Sequence, residues 1–230
     1  MKLFLYHAKQ KIWLFIGFVI PYFLLLFLQN PDGFGFYHQI TEEYPSLLIA
    51  LLSAFVLTSD TEIEFAKCYG ISFAKLGFAH WLPNFIYPFI IAIVTCLIYW
   101  ELHTAALLHD GSVLQPQYGV MMFSLFVTFL IVTSFTLFIR VLIRNMYATL
   151  GAFLIAFTPF HTLHANLLMK KIPISMAKYD IWITGLLYSD AYDVSMETWL
   201  RNRFACLGIA ILFMIMAFLL LKQKNYENIR

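Results

Sequence analysis

Six stretches of the chain carry no Asp, Glu, Lys or Arg and are apolar nearly throughout: residues 12–28, 44–58, 81–100, 119–139, 146–163 and 204–221. A helix needs about 20 residues to cross a hydrocarbon layer about 30 Å thick. The shorter second and fifth stretches are therefore expected to extend into their flanks or to sit where the bilayer thins. Strands of a membrane barrel would alternate in polarity, yet 47–52 (Leu-Leu-Ile-Ala-Leu-Leu) and 213–218 (Phe-Met-Ile-Met-Ala-Phe) are apolar on every face. Backbone groups in lipid must be paired within their own segment, so the pattern predicts helices. The expected fold is an all-α integral membrane protein, with residues 1–230 forming a single domain of six transmembrane helices.

Composition points the same way, with 61% hydrophobic residues, 12% charged residues and a mean hydropathy of +0.77. The longest connection, 164–203, leaves no room for a domain of about 100 residues. ATPase or receptor activity is therefore expected on another chain, and this chain is not expected to be an enzyme. A net charge of +2, with basic residues scattered at the ends of the apolar runs, gives no reason to expect nucleic acid. Cys68, Cys96 and Cys206 are an odd set, with two inside apolar runs, and are read as reduced and structural.

Basic residues orient the chain. Lys2, Lys9 and Lys11 precede the first run, Lys67 and Lys75 follow the second, Arg140 and Arg144 follow the fourth, and Lys222, Lys224 and Arg230 end the chain. The first and third connections have no Lys or Arg but contain Asp32, Glu42, Glu43, Glu101 and Asp110. By the positive-inside rule both termini are cytoplasmic and the odd-numbered connections external. Lys170, Lys171, Lys178, Arg201 and Arg203 of the fifth connection run against that rule, which long connections obey less well. No small-x-small cleavage site follows the first run, so it is read as a retained helix and not a signal peptide.

Charge is missing from the runs themselves, whereas ion-coupled transport and intramembrane hydrolysis both need ionisable groups at membrane depth. His161 and His164 share a helix face but have no Cys or carboxylate nearby in sequence to complete four ligands, so no metal site is expected. Ala148, Ala152 and Ala156 recur every four residues beside Gly151, a small-residue face suited to close packing within the bundle or against a second copy. Thr128, Thr133, Ser134 and Thr136 place hydroxyls in the fourth run, able to bond back to their own helix or across to another.

The connection after the second run reads Thr58-Ser-Asp-Thr-Glu-Ile-Glu-Phe-Ala-Lys-Cys-Tyr-Gly70, leading on to Lys75. Ser59 or Asp60 can cap a helix, Glu62 and Glu64 suit its first turn, and Gly70 is a natural stop. The prediction is a short amphipathic helix over about 60–70, either an interfacial connector or a contact surface for a partner.

Six runs with cytoplasmic ends, this acidic segment running through Gly70 to Lys75, the tight connection from Arg140 to Asn145 and a long external stretch before the last run together resemble the ABC-2 type permeases of ATP-binding-cassette transporters. The resemblance covers the whole chain and is sharpest over 60–76. It implies a type V exporter-like bundle in a bacterial cell membrane, with 60–70 as the coupling helix. Glu62, Glu64, Lys67, Tyr69, Gly70 and Lys75 would then be its contact and hinge positions. It further implies two separate ATPase subunits carrying ATP and Mg, since no Gly-x-x-x-x-Gly-Lys-Ser/Thr motif is present and no cofactor is expected on this chain. A second permease chain, identical or related, would complete the pathway, and an amphipathic cargo such as a peptide, a lipid-like molecule or a drug would be exported. Residues 181–188, apolar but too short to cross, resemble the family's external re-entrant helices. The alternative is a non-transporting membrane subunit with a structural, immunity or sensor role.

Overall fold

The computed structural model describes residues 44–54, 118–143, 145–183 and 194–227, together with isolated helical positions between 12 and 20 and between 82 and 97. The segment 60–75 lies outside the described residues. The described residues form α1 (Tyr44–Ala54), α2 (Tyr118–Ile143), α3 (Met146–Leu168), a short 3-10 helix (Ile174–Tyr179) and α4 (Met196–Glu227), with no strand among them. Three of these helices are long and apolar enough to cross a membrane, over Met122–Ile143, Met146–Leu167 and Met196–Leu220.

Local chemistry sets the helix ends. Asn145 breaks the chain between α2 and α3 with extended backbone, and its side chain accepts a hydrogen bond from the Ala148 N–H at 3.0 Å. That is an N-cap, worth about 1 kcal/mol relative to Ala. At the other end of α3, Lys170 takes the left-handed conformation (φ 54°), and the N–H groups of Lys170 and Lys171 return to the carbonyls of Leu167 and Asn166, both at 2.9 Å. This reversal closes the last turn of α3 in the manner usually left to glycine. Pro159 inside α3 removes the donor that would meet the Ile155 carbonyl. The hydroxyls of Thr158 and Thr162 bond back to the carbonyls four residues earlier, those of Leu154 (2.6 Å) and Thr158 (3.0 Å).

The helix α2 is the centre of the described bundle. Buried residues make up 61% of its apolar window, against 17% for α3 and 22% for α4. Both α3 and α4 pack on α2 and barely touch each other, while α1 packs mainly on α2. Helices α2 and α4 run parallel: Phe123 meets Trp199 and Phe204 near one end, and Phe135 and Phe138 meet Phe213 further along. At the Asn145 end the Arg140 Nε–H donates to the carbonyl of Ala54 at 2.9 Å, tying α2 to α1.

Beyond the buried Trp199 near its start, the face that α4 buries is small or polar, with Arg203, Cys206, Ala210 and Ala217 turned inward and Phe204, Leu212, Ile215, Phe218 and Leu219 exposed. Large apolar residues outside and small ones at the seam suit a helix whose outer surface meets lipid, where packing and not water exclusion holds helices together.

Candidate functional site

Between α3 and α4 the chain folds back into the bundle instead of staying on its surface. Ile181, Trp182 and Ile183 are buried, and so are the polar residues around them: His164, Asp180, Asn202, Arg203, Thr128 and Ser124. Arg203 is fully buried and spreads its donors over the returning chain. Its Nη2 donates to the carbonyl of Ile181 (2.8 Å) and to Asn202 Oδ1 (2.7 Å), and its Nε donates to the same Asn202 oxygen (2.9 Å). Its Nη1 donates to Thr128 Oγ1 (2.7 Å) and to the carbonyl of Ser124 (3.2 Å). Thr128 in turn donates to the Ile181 carbonyl at 3.0 Å, closing a ring of three groups. Asn202 Nδ2 donates to the carbonyls of Lys178 and Asp180, both at 2.9 Å.

Asp180 joins this ring to α3. One carboxylate oxygen accepts from the Trp182 N–H at 2.9 Å, and the other lies 2.6 Å from His164 Nδ1. An ionised carboxylate only accepts, so Nδ1 carries the proton in that bond. One cation and one anion are thus buried in the same cluster, which limits the cost of removing each from water. Counting 1.5 Å per residue, Arg203 sits about 10 Å inside the start of α4 and Thr128 about 15 Å inside the start of α2. The cluster therefore lies inside the helical bundle and not at its rim.

This placement corrects one expectation. The run boundaries at 163 and 204 left His164 and Arg203 just outside uncharged segments, but α3 continues to Leu168 and α4 begins at Met196. Both residues are helical and buried, so the described helices do contain ionisable groups. A run that stops at the first charge misses a charge whose partners are carbonyls and hydroxyls buried in the bundle.

The four hydroxyls of the fourth run divide. Ser134 bonds back to the Leu130 carbonyl at 2.7 Å, Thr128 bonds across to the returning chain, and the buried hydroxyls of Thr133 and Thr136 have no hydrogen-bond partner among the described residues. His161 and His164 both lie edge-on to the Trp182 ring, at 6.4 and 6.2 Å between centroids, but His161 is exposed while His164 is buried against Asp180. No group of three metal-ligating side chains occurs among the described residues. Of the small-residue face on α3, Ala148 is exposed, Gly151, Ala152 and Ala156 are half-buried, and a Cβ added at Gly151 would meet nothing within 4 Å. Glu62, Glu64, Lys67, Tyr69, Gly70 and Lys75 lie outside the described residues.

Two cavities adjoin the cluster. A trough of about 340 Å³ lies between α3 and α4, floored by Ile131 and Phe135 of α2. A smaller one of about 190 Å³ lies between α1 and α3, with Ser46, Thr158 and His161 on its wall. Phe157 and its stacked neighbours Phe153 and Phe160 form the partition, since Phe157 lines both. Sequence reasoning did not find the polar cluster. The available signal was Asn202-Arg203 directly abutting an apolar run, and an isolated Asp180 directly before the apolar Ile181-Trp182-Ile183. No protein-family model, curated protein or solved structure matches the chain.

Proposed function

We propose that this chain is the membrane-spanning permease subunit of an ABC-2 type transporter, driven by separate ATPase subunits and exporting an amphipathic cargo. The observation that best supports the reading is the chain reversal at Ile181–Ile183. Irregular backbone at membrane depth is tolerated only where protein shields it or it lines a cavity. Here the Ile181 carbonyl takes bonds from both Arg203 and Thr128. A segment entering from the external connection and latched to two helices is what a re-entrant element of such a permease requires.

On this reading 60–70 is the coupling helix, with Glu62, Glu64, Lys67, Tyr69, Gly70 and Lys75 as its contact and hinge positions toward the ATPase. ATP and Mg are held by the partner ATPases, and a second permease chain completes the pathway. The termini face the cytoplasm of a bacterial cell. Tagged full-length chain, isolated from its native membrane, is expected to bring down an ATPase and raise its turnover. Glu62→Lys with Glu64→Lys, or Gly70→Pro, is expected to abolish that stimulation while leaving thermal unfolding of the bundle unchanged. Undiminished stimulation in those variants removes the coupling assignment.

A second reading has one specific observation in its favour. His164 and Asp180 are buried ionisable groups inside the bundle, the kind of pair through which an ion gradient is sensed. The ATPase-driven reading is preferred because the bonds of Arg203 and Asn202 tie the reversal to α2 and α4, which describes a latch more than a relay. Reconstituted chain that moves solute on a proton gradient alone would reverse that preference. Failure to recruit an ATPase or to move solute under either driving force points to the non-transporting structural, immunity or sensor subunit.

A further inference from the structure

The trough between α3 and α4 has a shape and a charge that specify an occupant. Its α4 wall is Asn202, Ala205, Cys206, Ile209 and Phe213, one face of that helix. At 1.5 Å per residue this wall is about 16 Å long, close to the roughly 15 Å depth of one leaflet in a hydrocarbon core about 30 Å thick. The opposite wall is Ala156, Phe157 and Phe160, and the lining is apolar except at one end.

That end carries Lys178 and Tyr179. Both are exposed, and the Lys178 ammonium lies 5.0 Å above the Tyr179 ring. Among the described residues no carboxylate pairs with it. The trough also opens sideways, because Ala205 and Ile209 on its wall are exposed between two helices that barely touch. A leaflet-length apolar slot, open on the surface expected to meet lipid and ending in a cation beside the re-entrant segment, matches one acyl chain with an anionic head group.

We propose that this trough holds one acyl chain of an anionic phospholipid from the surrounding bilayer, its head group paired with Lys178 and its tail running along α4 toward Phe213. The site depends only on the bundle lying in a membrane and stands whether or not the chain transports anything. Full-length chain purified in mild detergent with equal amounts of phosphatidylglycerol and phosphatidylcholine, then examined by native mass spectrometry, is expected to retain a single phosphatidylglycerol. The expected preference is about five-fold, the ratio given by the ~1 kcal/mol that one basic residue contributes beside anionic lipid. Lys178→Gln, an exposed change, is expected to equalise the two head groups. Ala205→Trp, which fills the slot, is expected to remove both lipids, with Ala156→Phe from the opposite wall as the independent variant if Ala205→Trp unfolds. Equal retention of both lipids by the unaltered chain, a preference untouched by Lys178→Gln, or capture of added palmitate in place of phospholipid would each overturn the proposal.

Discussion

A guanidinium taken out of water costs several kcal/mol unless its donors are met, and at Arg203 they are met by the carbonyls of Ser124 and Ile181, the hydroxyl of Thr128 and the amide oxygen of Asn202. Arg203→Ala removes these donors at once and leaves Asp180 as a buried anion. A loss of about 3–5 kcal/mol is expected, the range for breaking one side of a buried charged network. Lysine cannot restore it, because a point ammonium with three donors does not fork across these four acceptors. Thr128→Val should cost less, about 1 kcal/mol, since the Ile181 carbonyl keeps its bond to Arg203. Reversible unfolding in detergent checks both values, and the double variant should cost more than their sum, because either residue alone keeps the Ile181 carbonyl bonded and only their joint loss orphans it. Little of this was legible beforehand. Arg203 lies 75 positions from Thr128 and 22 from Ile181, and two of its acceptors, the carbonyls of Ser124 and Ile181, are main-chain atoms that every residue possesses. Side-chain identity carries no trace of such bonds.

Between helices, the aromatic partition and the small residues lead to different expectations. Phe157 sits 4.3 Å from Phe153, 5.5 Å from Phe135 and 6.4 Å from Trp182 by ring centroids, and it separates the two cavities. Phe157→Ala joins those cavities into one. In a water-soluble core such a truncation costs about 3–5 kcal/mol. Between helices in lipid the transfer contribution is largely absent and packing carries the contact, so a loss nearer 2 kcal/mol is expected on unfolding in bicelles. Gly151 behaves in the opposite way. Its Cβ position is open, so Gly151→Ala should stabilise α3 by about 0.5–1 kcal/mol through helix propensity alone. A fall in stability there would instead show that this face packs against a second chain. The helices were the most legible level, because long uncharged apolar runs leave the backbone no alternative in lipid. Their ends were less so. A charge reads as a boundary, yet α4 carries Glu197, Arg201 and Arg203 in its first turns, the first two paired on the surface at 2.5 Å and the third buried.

At the scale of the whole molecule, the described helices carry their own statement about sidedness. The Asn145 turn and the Arg140–Ala54 contact lie at one end of the bundle, and the Lys170 reversal and the 3-10 helix lie at the other. The short turn contributes Arg140 and Arg144, while the long return carries Lys170, Lys171 and Lys178. Charge counting therefore conflicts between the two ends, and the conflict is resolved by weighting short loops over long ones. Burial eases it further, because Arg203 is a latch inside the bundle and no longer counts as a loop charge. Single cysteines in a background lacking Cys68, Cys96 and Cys206 give the direct measurement. Lys171 and Asn145 are both exposed and stand at opposite ends of α3. Lys171→Cys is expected to react with a membrane-impermeant maleimide on intact cells, and Asn145→Cys only after permeabilisation, at a cost of about 1 kcal/mol for the lost cap. The reverse pattern would place the Lys178 end of the trough in the cytoplasmic leaflet, and it would overturn the proposed orientation and with it the proposed coupling of 60–70 to a cytoplasmic ATPase.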